Sequence, residues 1–254
     1  MINLFVWSGP RNISTALMRS FENRMDTKVY DEPFYAYYLK RTNLNHPMKD
    51  EIINHYHTNE DEVIKLITKD DDNYEIFYQK HMTHHILDKT RLDWINKGIN
   101  WFLIRDTAKV IVSYLKKNTL KSIQDVGFKK LYEIFKKLNS KNPIIINSVY
   151  LLTNPEKYLK ILCQKLNLDF DQNMLNWPKG YRDTDGIWSK VWYQDVISST
   201  TFNTKNSKEY IVPKTYENIY KECLGIYEEI NKHAIKVWIK KIFKKLQKFY
   251  LNID

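Results

Sequence analysis

A short apolar run that leads through a glycine-containing turn into an amphipathic helix constrains this chain most. The run INLFV is followed by WSGPRNISTALMRSF, in which Leu17, Met18 and Phe21 lie on one side of the predicted helix. A strand, a tight turn and a helix N-terminus expose unpaired N–H groups beside the positive end of the helix dipole. The turn therefore predicts an anion-binding loop.

Strand patterns alternate with helical patterns along the rest of the chain. Further strands are predicted in TKVYDEPF, YEIFYQKHM, INWFLIRD and NPIIINS, and helices in TAKVIVSYLKKN and NPEKYLKILCQKLNL. We also expect HHILDKTRLDWINKG to form a helix that ends at Gly98, and SIQDVGFKKLYEIFKKLNS to form another. Strands separated by helices imply an α/β fold with a central, mainly parallel sheet flanked by helices. We predict a single domain over residues 1–254, of which about 203–254 form a C-terminal helical extension.

Composition narrows the class of protein. A chain of 254 residues that is 43% hydrophobic can bury one sizeable core. Cys163 and Cys223 have no paired spacing, so neither a disulfide framework nor a zinc cluster is predicted. No apolar run reaches the roughly 18 residues that a membrane span needs, and no secretory signal pattern is present. We therefore expect a cytoplasmic protein.

The net charge of +10 favours a polyanionic partner, although the abundance of lysine also fits a simple compositional bias. The C-terminal sequence HAIKVWIKKIFKKLQKFYLNID predicts a basic amphipathic helix. Its apolar stripe consists of Ile235, Trp238, Ile239, Ile242, Leu246 and Phe249. Two interpretations stay open: a weak contact with an anionic membrane surface, or packing on the domain with a solvated lysine face. No nucleic-acid partner is expected, and the sequence does not predict an oligomeric state.

The first turn carries the residues of a phosphate cradle. Backbone N–H groups would come from the loop itself, and side chains from its basic and hydroxyl residues. The predicted binding residues are Gly9, Pro10, Arg11, Asn12, Ile13, Ser14 and Thr15. The spacing is not that of a Walker A motif, because no lysine follows a second glycine. An ordinary strand-to-helix turn capped by serine or threonine is the alternative.

A second candidate phosphate site lies in FLIRDTAKVIVSY. Arg105 ends a predicted strand, and Ser113 follows eight residues later, about two helical turns and ~12 Å along the axis. The two side chains are predicted to bracket a second phosphate.

With this pair, the chain resembles sulfotransferases that use 3'-phosphoadenosine 5'-phosphosulfate (PAPS). The stretch SGPRNISTAL resembles their 5'-phosphosulfate loop, and RDTAKVIVS resembles their 3'-phosphate motif. Together with DEPFYAYYL, YQKHMTHHIL and DGIWSKVWYQDVISSTTF, these motifs are similar to a bacterial sulfotransferase-like group over roughly residues 2–202. The resemblance implies a P-loop sulfotransferase fold, PAPS as donor, the product 3'-phosphoadenosine 5'-phosphate (PAP), and Arg105 and Ser113 as ligands of the 3'-phosphate.

This sequence departs from the family pattern at three places. Thr107 replaces a common proline, NSVYLL replaces a segment that usually contains aspartate, and the C-terminal RKGxxGDWK-type motif is missing. A third contact to the 3'-phosphate or the adenine therefore has to come from elsewhere. Arg182, Lys190 and Trp192 are the predicted substitutes.

Sulfuryl transfer needs charge stabilisation and a base for the acceptor. Arg11 is predicted to stabilise the developing charge, Glu32 to act as base, and His81 to position the acceptor or stabilise charge. The roles of Glu32 and His81 stay open, because the resemblance allows either as base. Glu32 can instead be a loop carboxylate paired with lysine, and His81 a core histidine. His81 and His85 are four residues apart, but no third ligand is evident, so no metal site is expected.

Three classes of function remain at this point. The leading one is sulfuryl transfer to a hydroxyl or amino group of a small molecule, for which the aromatic stretches EPFYAYYL and DGIWSKVWYQDV would supply a pocket. The alternatives are another P-loop nucleotide-dependent transferase or kinase, and a non-catalytic basic module that binds nucleic acid or membrane.

Overall fold

The centre of the protein is a five-stranded parallel sheet, seen in a computed structural model that describes residues 1–204 and 210–236. The strands are β1 (Ile2–Ser8), β2 (Thr27–Asp31), β3 (Ile76–Met82), β4 (Ile99–Ile104) and β5 (Ile144–Asn147). Their order is β2-β3-β1-β4-β5, and every neighbouring pair is parallel. The predicted α/β fold with a mainly parallel sheet is confirmed.

Helices flank this sheet and connect its strands. Those before β4 are α1 (Ser14–Glu22), α2 (Tyr35–Thr42), α3 (Lys49–His55) and α4 (Glu60–Ile67). Those after β4 are α5 (Thr107–Leu115), α6 (Phe128–Leu138), α7 (Ser148–Thr153), α8 (Pro155–Lys165), α9 (Ser189–Trp192), α10 (Gln194–Ile197) and α11 (Glu217–Asn231). Helix α11 lies within the predicted C-terminal extension. Most of the basic amphipathic tail, residues 237–254, lies outside the described residues, so its helix stays a prediction.

Two predicted helices differ from the structure. Where one helix ending at Gly98 was expected, the chain forms two separate 3-10 turns, Thr83–His85 and Asp93–Lys97. Between them, the Thr90 hydroxyl accepts a hydrogen bond from the Leu87 N–H at 3.0 Å, a local turn that competes with a helix. Helix α6 begins only at Phe128, because Gly127 adopts the left-handed φ of 73°.

The two faces of the sheet bury different side chains. Along β3, Tyr78 packs against Phe21 of α1 with the ring centroids 4.7 Å apart. His81 packs instead against Trp7 and Trp94 on the other face. Side chains of a strand alternate between faces, so neighbours in the sequence are separated by the sheet.

The connections reverse direction between β1 and β4. The chain leaves β1 through α1 toward β2 on one side of the sheet, and leaves β4 through α5 toward β5 on the other side. A crevice forms outside the carboxyl ends of the strands at such a switch point, and ligands of open α/β sheets bind there. Among the described residues, no helix is both long and apolar enough to cross a membrane.

Candidate anion-binding and catalytic site

The loop between β1 and α1 has the backbone of an anion cradle. Arg11 and Ile13 adopt left-handed φ angles of 64° and 61°, which is uncommon for residues other than glycine. The Asn12 side chain holds the loop closed by donating to the Gly9 carbonyl at 3.1 Å. Ile13 is the N-cap residue of α1, and no side chain accepts a capping hydrogen bond there. The first turn of α1 also has no acidic residue. The N–H groups at this end of the helix are therefore left for an anion.

The structure brings the two predicted phosphate motifs together. The Arg11 Nε donates to the Ser113 hydroxyl on α5 at 2.9 Å, and an Arg105 guanidinium nitrogen donates to the Arg11 carbonyl at 2.6 Å. These contacts join positions 94 and 102 residues apart in the sequence. They exist because Arg11 follows β1 and Arg105 follows β4, the two strands at the switch point.

The electrostatics of Arg105 favour an added anion. Burial lowers the pKa of its guanidinium, and the neighbouring charge of Arg11 lowers it further. Within the described ranges 1–204 and 210–236, Arg105 is in no ion pair, and its hydrogen bond goes to a carbonyl. Two close guanidinium groups with little carboxylate compensation are stabilised when a phosphate lies between them.

A buried charged cluster lies at the ends of β2 and β3. Asp31 is in register with Lys80 across the parallel pair β2–β3. The Lys80 Nζ lies 2.7 Å from Asp31 Oδ1 and 2.9 Å from Glu32 Oε1, and it donates to the Thr15 hydroxyl of α1 at 3.1 Å. Lys80 and Asp31 are almost completely buried, and 11% of the Glu32 side chain is exposed. Lys80 thus connects the first turn of α1 with the candidate base.

Two opposing effects determine the protonation of this cluster: burial disfavours the charged forms, and the neighbouring opposite charges favour them. Burial raises the pKa of Glu32, while the Lys80 ammonium opposes the rise. For Lys80, burial acts to lower the pKa, but Asp31 and Glu32 together raise it, so the ammonium stays charged. A carboxylate with a raised pKa is a stronger base than one in water, which suits proton removal from an acceptor.

Part of the chain predicted to touch the cofactor lies beside this cluster. Lys190 is exposed and Trp192 is half-buried on α9. In the same segment, the Tyr193 hydroxyl contacts Lys80, and Asp195 lies 3.7 Å from the Arg11 guanidinium. Lys190 and Trp192 thus belong to the segment that borders the site, and their contact with the cofactor stays a prediction.

Arg182 lies elsewhere. One of its guanidinium nitrogens donates to Glu22 at 2.6 Å, and the other lies 3.3 Å from the Asn23 side-chain oxygen. Both partners are at the C-terminal end of α1, whereas the anion cradle is at its N-terminal end, roughly 12 Å away. The structure therefore places Arg182 away from the anion cradle, and its contact with the 3'-phosphate or the adenine stays a prediction.

His81 also lies away from the cradle. It is 1% exposed, its ring centroid lies 4.8 Å from that of Trp7, and its Nε2 lies 3.2 Å from the Gln79 side-chain oxygen. Burial lowers its pKa to about 3, so it is neutral at physiological pH. The strand pleat turns Lys80 toward α1 and His81 away from it. The structure therefore does not bring His81 to Glu32, and a role for His81 in positioning the acceptor or stabilising charge stays a prediction.

A different histidine is next to the candidate base. His85 Nδ1 lies 3.9 Å from Glu32 Oε2, and its ring stacks on Tyr35 with centroids 4.4 Å apart. Lys80, Asp31, Tyr193 and His85 are the neighbours that sequence reasoning missed. Their local sequence contained no sufficient signal: residues 78, 80 and 82 of β3 share a face, but in a fully buried strand nothing marks which face meets α1.

Comparison with known proteins agrees with this geometry. Residues 2–234 match the family described as a sulfotransferase domain. The chain belongs to this sulfotransferase family. It is also 31% identical over 230 residues to branched-chain-amino-acid aminotransferase-like protein 1 of Arabidopsis thaliana, and 30% identical over 232 residues to protein 2 of the same name. The matches cover 90% and 91% of this chain but 41% of each plant protein, so the chain spans less than half the length of these relatives.

Solved sulfotransferase structures share the fold. The sulfotransferase domain of the Synechococcus PCC 7002 olefin synthase matches with a TM-score of 0.58 at 12% identity, over 93% of this chain and 95% of that domain. The sulfotransferase domain from the curacin biosynthetic pathway matches at 0.53 and 15%, over 91% and 98% of the two chains. The sulfotransferase from Alicyclobacillus acidocaldarius matches at 0.56 and 10%, over 93% and 97%. The predicted sulfotransferase-like fold is confirmed.

Proposed function

We propose that this sulfotransferase domain transfers the sulfuryl group of PAPS to a hydroxyl or amino group of a small molecule. The contact that joins the two phosphate motifs carries the proposal: Arg11 bonds to Ser113 and Arg105 bonds to Arg11 at the switch point. A donor with phosphates at two separated positions matches two adjacent cationic sites. Membership of the sulfotransferase family supports this donor over the nucleotides of kinases.

The residues present fit such a donor. The uncapped start of α1 and the loop from Gly9 to Ile13 would hold the 5'-phosphosulfate, and the half-buried guanidinium of Arg105, with Ser113, would hold the 3'-phosphate. When bound, PAPS supplies an activated sulfuryl group. Arg11 stabilises the negative charge that develops at the cradle.

The remaining task is to remove a proton from the acceptor. We assign this to Glu32, whose carboxylate is held beside Lys80 at the end of β2. A positioned carboxylate takes the proton as the acceptor oxygen or nitrogen forms its bond to sulfur. Lys80 keeps Glu32 available as an anion and, through Thr15, fixes its position relative to the cradle.

Binding of PAP and AMP tests the proposal, because AMP lacks the 3'-phosphate. Wild type should bind PAP about 10- to 100-fold more tightly than AMP, the usual range for a charge-assisted contact. Arg105→Ala should remove this preference. Arg91→Ala is the matched control, since Arg91 is 55% exposed and pairs with Asp61; it should keep the preference. Equal affinity of wild type for PAP and AMP, measured by calorimetry, would contradict the assignment.

A further inference from the structure

The hydroxyl of Tyr193 is the meeting point of the buried charged cluster. It accepts hydrogen bonds from Lys80 and from Trp188 Nε1, the latter at 3.1 Å. It lies 2.7 Å from Asp31 Oδ2 and 3.1 Å from Glu32 Oε1. Tyr193 is only 6% exposed, so water does not replace these partners.

Which group donates and which accepts in these hydrogen bonds follows from the chemistry of the tyrosine hydroxyl. A tyrosine hydroxyl has one proton to donate and accepts through its lone pairs. Lys80 and Trp188 can only donate in these contacts, so they occupy the accepting side. The single proton is therefore shared between the two carboxylates, with the shorter contact to Asp31 Oδ2 at 2.7 Å and the longer one to Glu32 Oε1 at 3.1 Å.

We propose that Tyr193 is a positioning residue for Glu32, which holds the carboxylate at the end of β2 and favours its ionised form. The inference rests on the proposed function, in which Glu32 accepts the proton of the acceptor. Tyr193 acts through Glu32 and Lys80, and it reaches them from the segment that borders the site.

Glu32 needs such support for two reasons: its backbone conformation is strained, and its counter-ion is shared with a second carboxyl group. Its φ is 45°, in the left-handed region that a residue with a side chain seldom adopts. Its ion-pair partner Lys80 is shared with Asp31, so one ammonium serves two carboxyl groups. The hydroxyl of Tyr193 is thus a second source of stabilisation for a carboxylate that burial disfavours.

Several titratable or charged groups face Glu32 from the elements packed around it. They are Asp31 on β2, Lys80 on β3, His85 in the 3-10 turn after β3, Tyr35 on α2, Tyr56 at the end of α3, and Tyr193. Burial lowers the pKa of His85 well below its ordinary value, so this ring is neutral and adds no counter-charge at neutral pH. Of the neutral groups in this set, Tyr193 is the one with a hydrogen bond to the Glu32 carboxylate among the described residues.

A direct titration of the carboxyl group tests the inference. Protein labelled with carbon-13 at the glutamate carboxyl is titrated by NMR, and the Glu32 signal is assigned by its absence in Glu32→Gln. Tyr193→Phe should raise the pKa of Glu32 by about one unit, because the hydrogen bond to the charged form is lost. Trp188→Phe removes a bond to the same hydroxyl without touching Glu32, and it should move the pKa by less than about 0.3 units.

The outcomes separate a positioning role from a packing role. The inference is overturned if Glu32 titrates identically in Tyr193→Phe and wild type, or if Trp188→Phe shifts it equally. If Tyr193→Phe does not fold, 3-fluorotyrosine at position 193 replaces it: the more acidic phenol donates more strongly and should lower the pKa of Glu32. An unchanged or raised value then overturns the inference. The titration uses neither donor nor acceptor, so it is independent of the PAP preference that tests the proposed function.

Discussion

Lys80 and His81 are neighbours on one strand, yet they lie in opposite environments. Lys80 faces α1, where it contacts Thr15, Asp31 and Glu32. His81 faces the other side of the sheet, among the rings of Trp7, Phe34 and Trp94. Both side chains are 1% exposed, so burial alone does not distinguish them.

The difference is in how each environment treats charge. The face of Lys80 supplies carboxylates and hydroxyl groups, so a cation is stable there although it is buried. The face of His81 supplies aromatic carbon, so the imidazole stays neutral, with a pKa of about 3. The charge at the end of β3 therefore lies on the Lys80 face of the sheet, and four predictions test that division.

The largest effect is expected from removing the charge of Lys80. Lys80→Met leaves Asp31 and Glu32 in a buried site without their counter-ion, which should lower the free energy of unfolding by about 3–5 kcal/mol. Lys160→Met is the matched control, because Lys160 pairs with Glu156 at 2.6 Å but is 53% exposed; an exposed pair contributes at most about 1 kcal/mol. Urea denaturation measures both. A cost for Lys80→Met no larger than the control would show that the cluster is not an obligatory charged unit.

The next prediction compares the Lys80 face and the His81 face of the sheet by their effect on sulfuryl transfer. With PAPS and a panel of small alcohols, phenols and amines, Glu32→Gln should lower kcat by about 10² while PAP affinity is retained. His81→Gln should have a smaller effect, because His81 lies on the aromatic face. The opposite ranking would move the base across the sheet and contradict the assignment of Glu32.

The pH dependence of transfer sharpens the same comparison. Only the ionised carboxylate accepts a proton, and the pKa of Glu32 is raised above its ordinary value of 4.5. Activity should therefore be present above the raised pKa and fall as the pH decreases through it, so that the acid limb of kcat/KM lies above pH 4.5. Glu32→Gln should lose this limb.

Much of the site follows from the sequence because of how parallel sheets are built. The carboxyl ends of parallel strands gather at one edge, so Arg11, Glu32 and Arg105 were predictable as residues of that edge. The placement of Ser113 two helical turns beyond Arg105 follows from the periodicity of α5. These inferences need only strand direction and helix periodicity, both of which are local properties of the sequence.

The remaining features of the site depend on which face of a strand each residue occupies, and on contacts between residues that are far apart in the sequence. The choice between Lys80 and His81 turns on which residues of β3 face α1, and an all-buried strand has no polar alternation to mark its faces. Tyr193 lies 113 residues from Lys80, and nothing local to either residue predicts that they meet. Arg182 has the charge for phosphate binding, but its partner Glu22 is determined by tertiary packing.

The smallest effect concerns the histidines and the stability of the fold. His81 and His84 have pKa values lowered by burial to about 3, from an ordinary value of 6.5, and the pKa of His85 is lowered in the same direction. Because the folded pKa is the lower one, the unfolded chain binds more protons. The stabilisation is therefore complete above pH 6.5 and is lost as the pH falls toward the folded value. Each such histidine should reduce the free energy of unfolding by about 1 kcal/mol between pH 6.5 and 5.5, and by about 1.4 kcal/mol per pH unit below that.

One substitution isolates the contribution of the aromatic face. His81→Phe keeps a ring in the layer but removes one titrating group, so the change in the free energy of unfolding between pH 6.5 and 5.5 should be smaller by about 1 kcal/mol. Phe34→Leu is the control: it weakens the same layer, whose Phe34 and Trp94 rings lie 5.6 Å apart, without changing any titrating group. For Phe34→Leu, the free energy of unfolding should be lower at every pH, but its slope against pH should equal that of the wild type. If His81→Phe kept the wild-type slope, His81 would be protonated in the folded protein, and the aromatic face would not exclude charge.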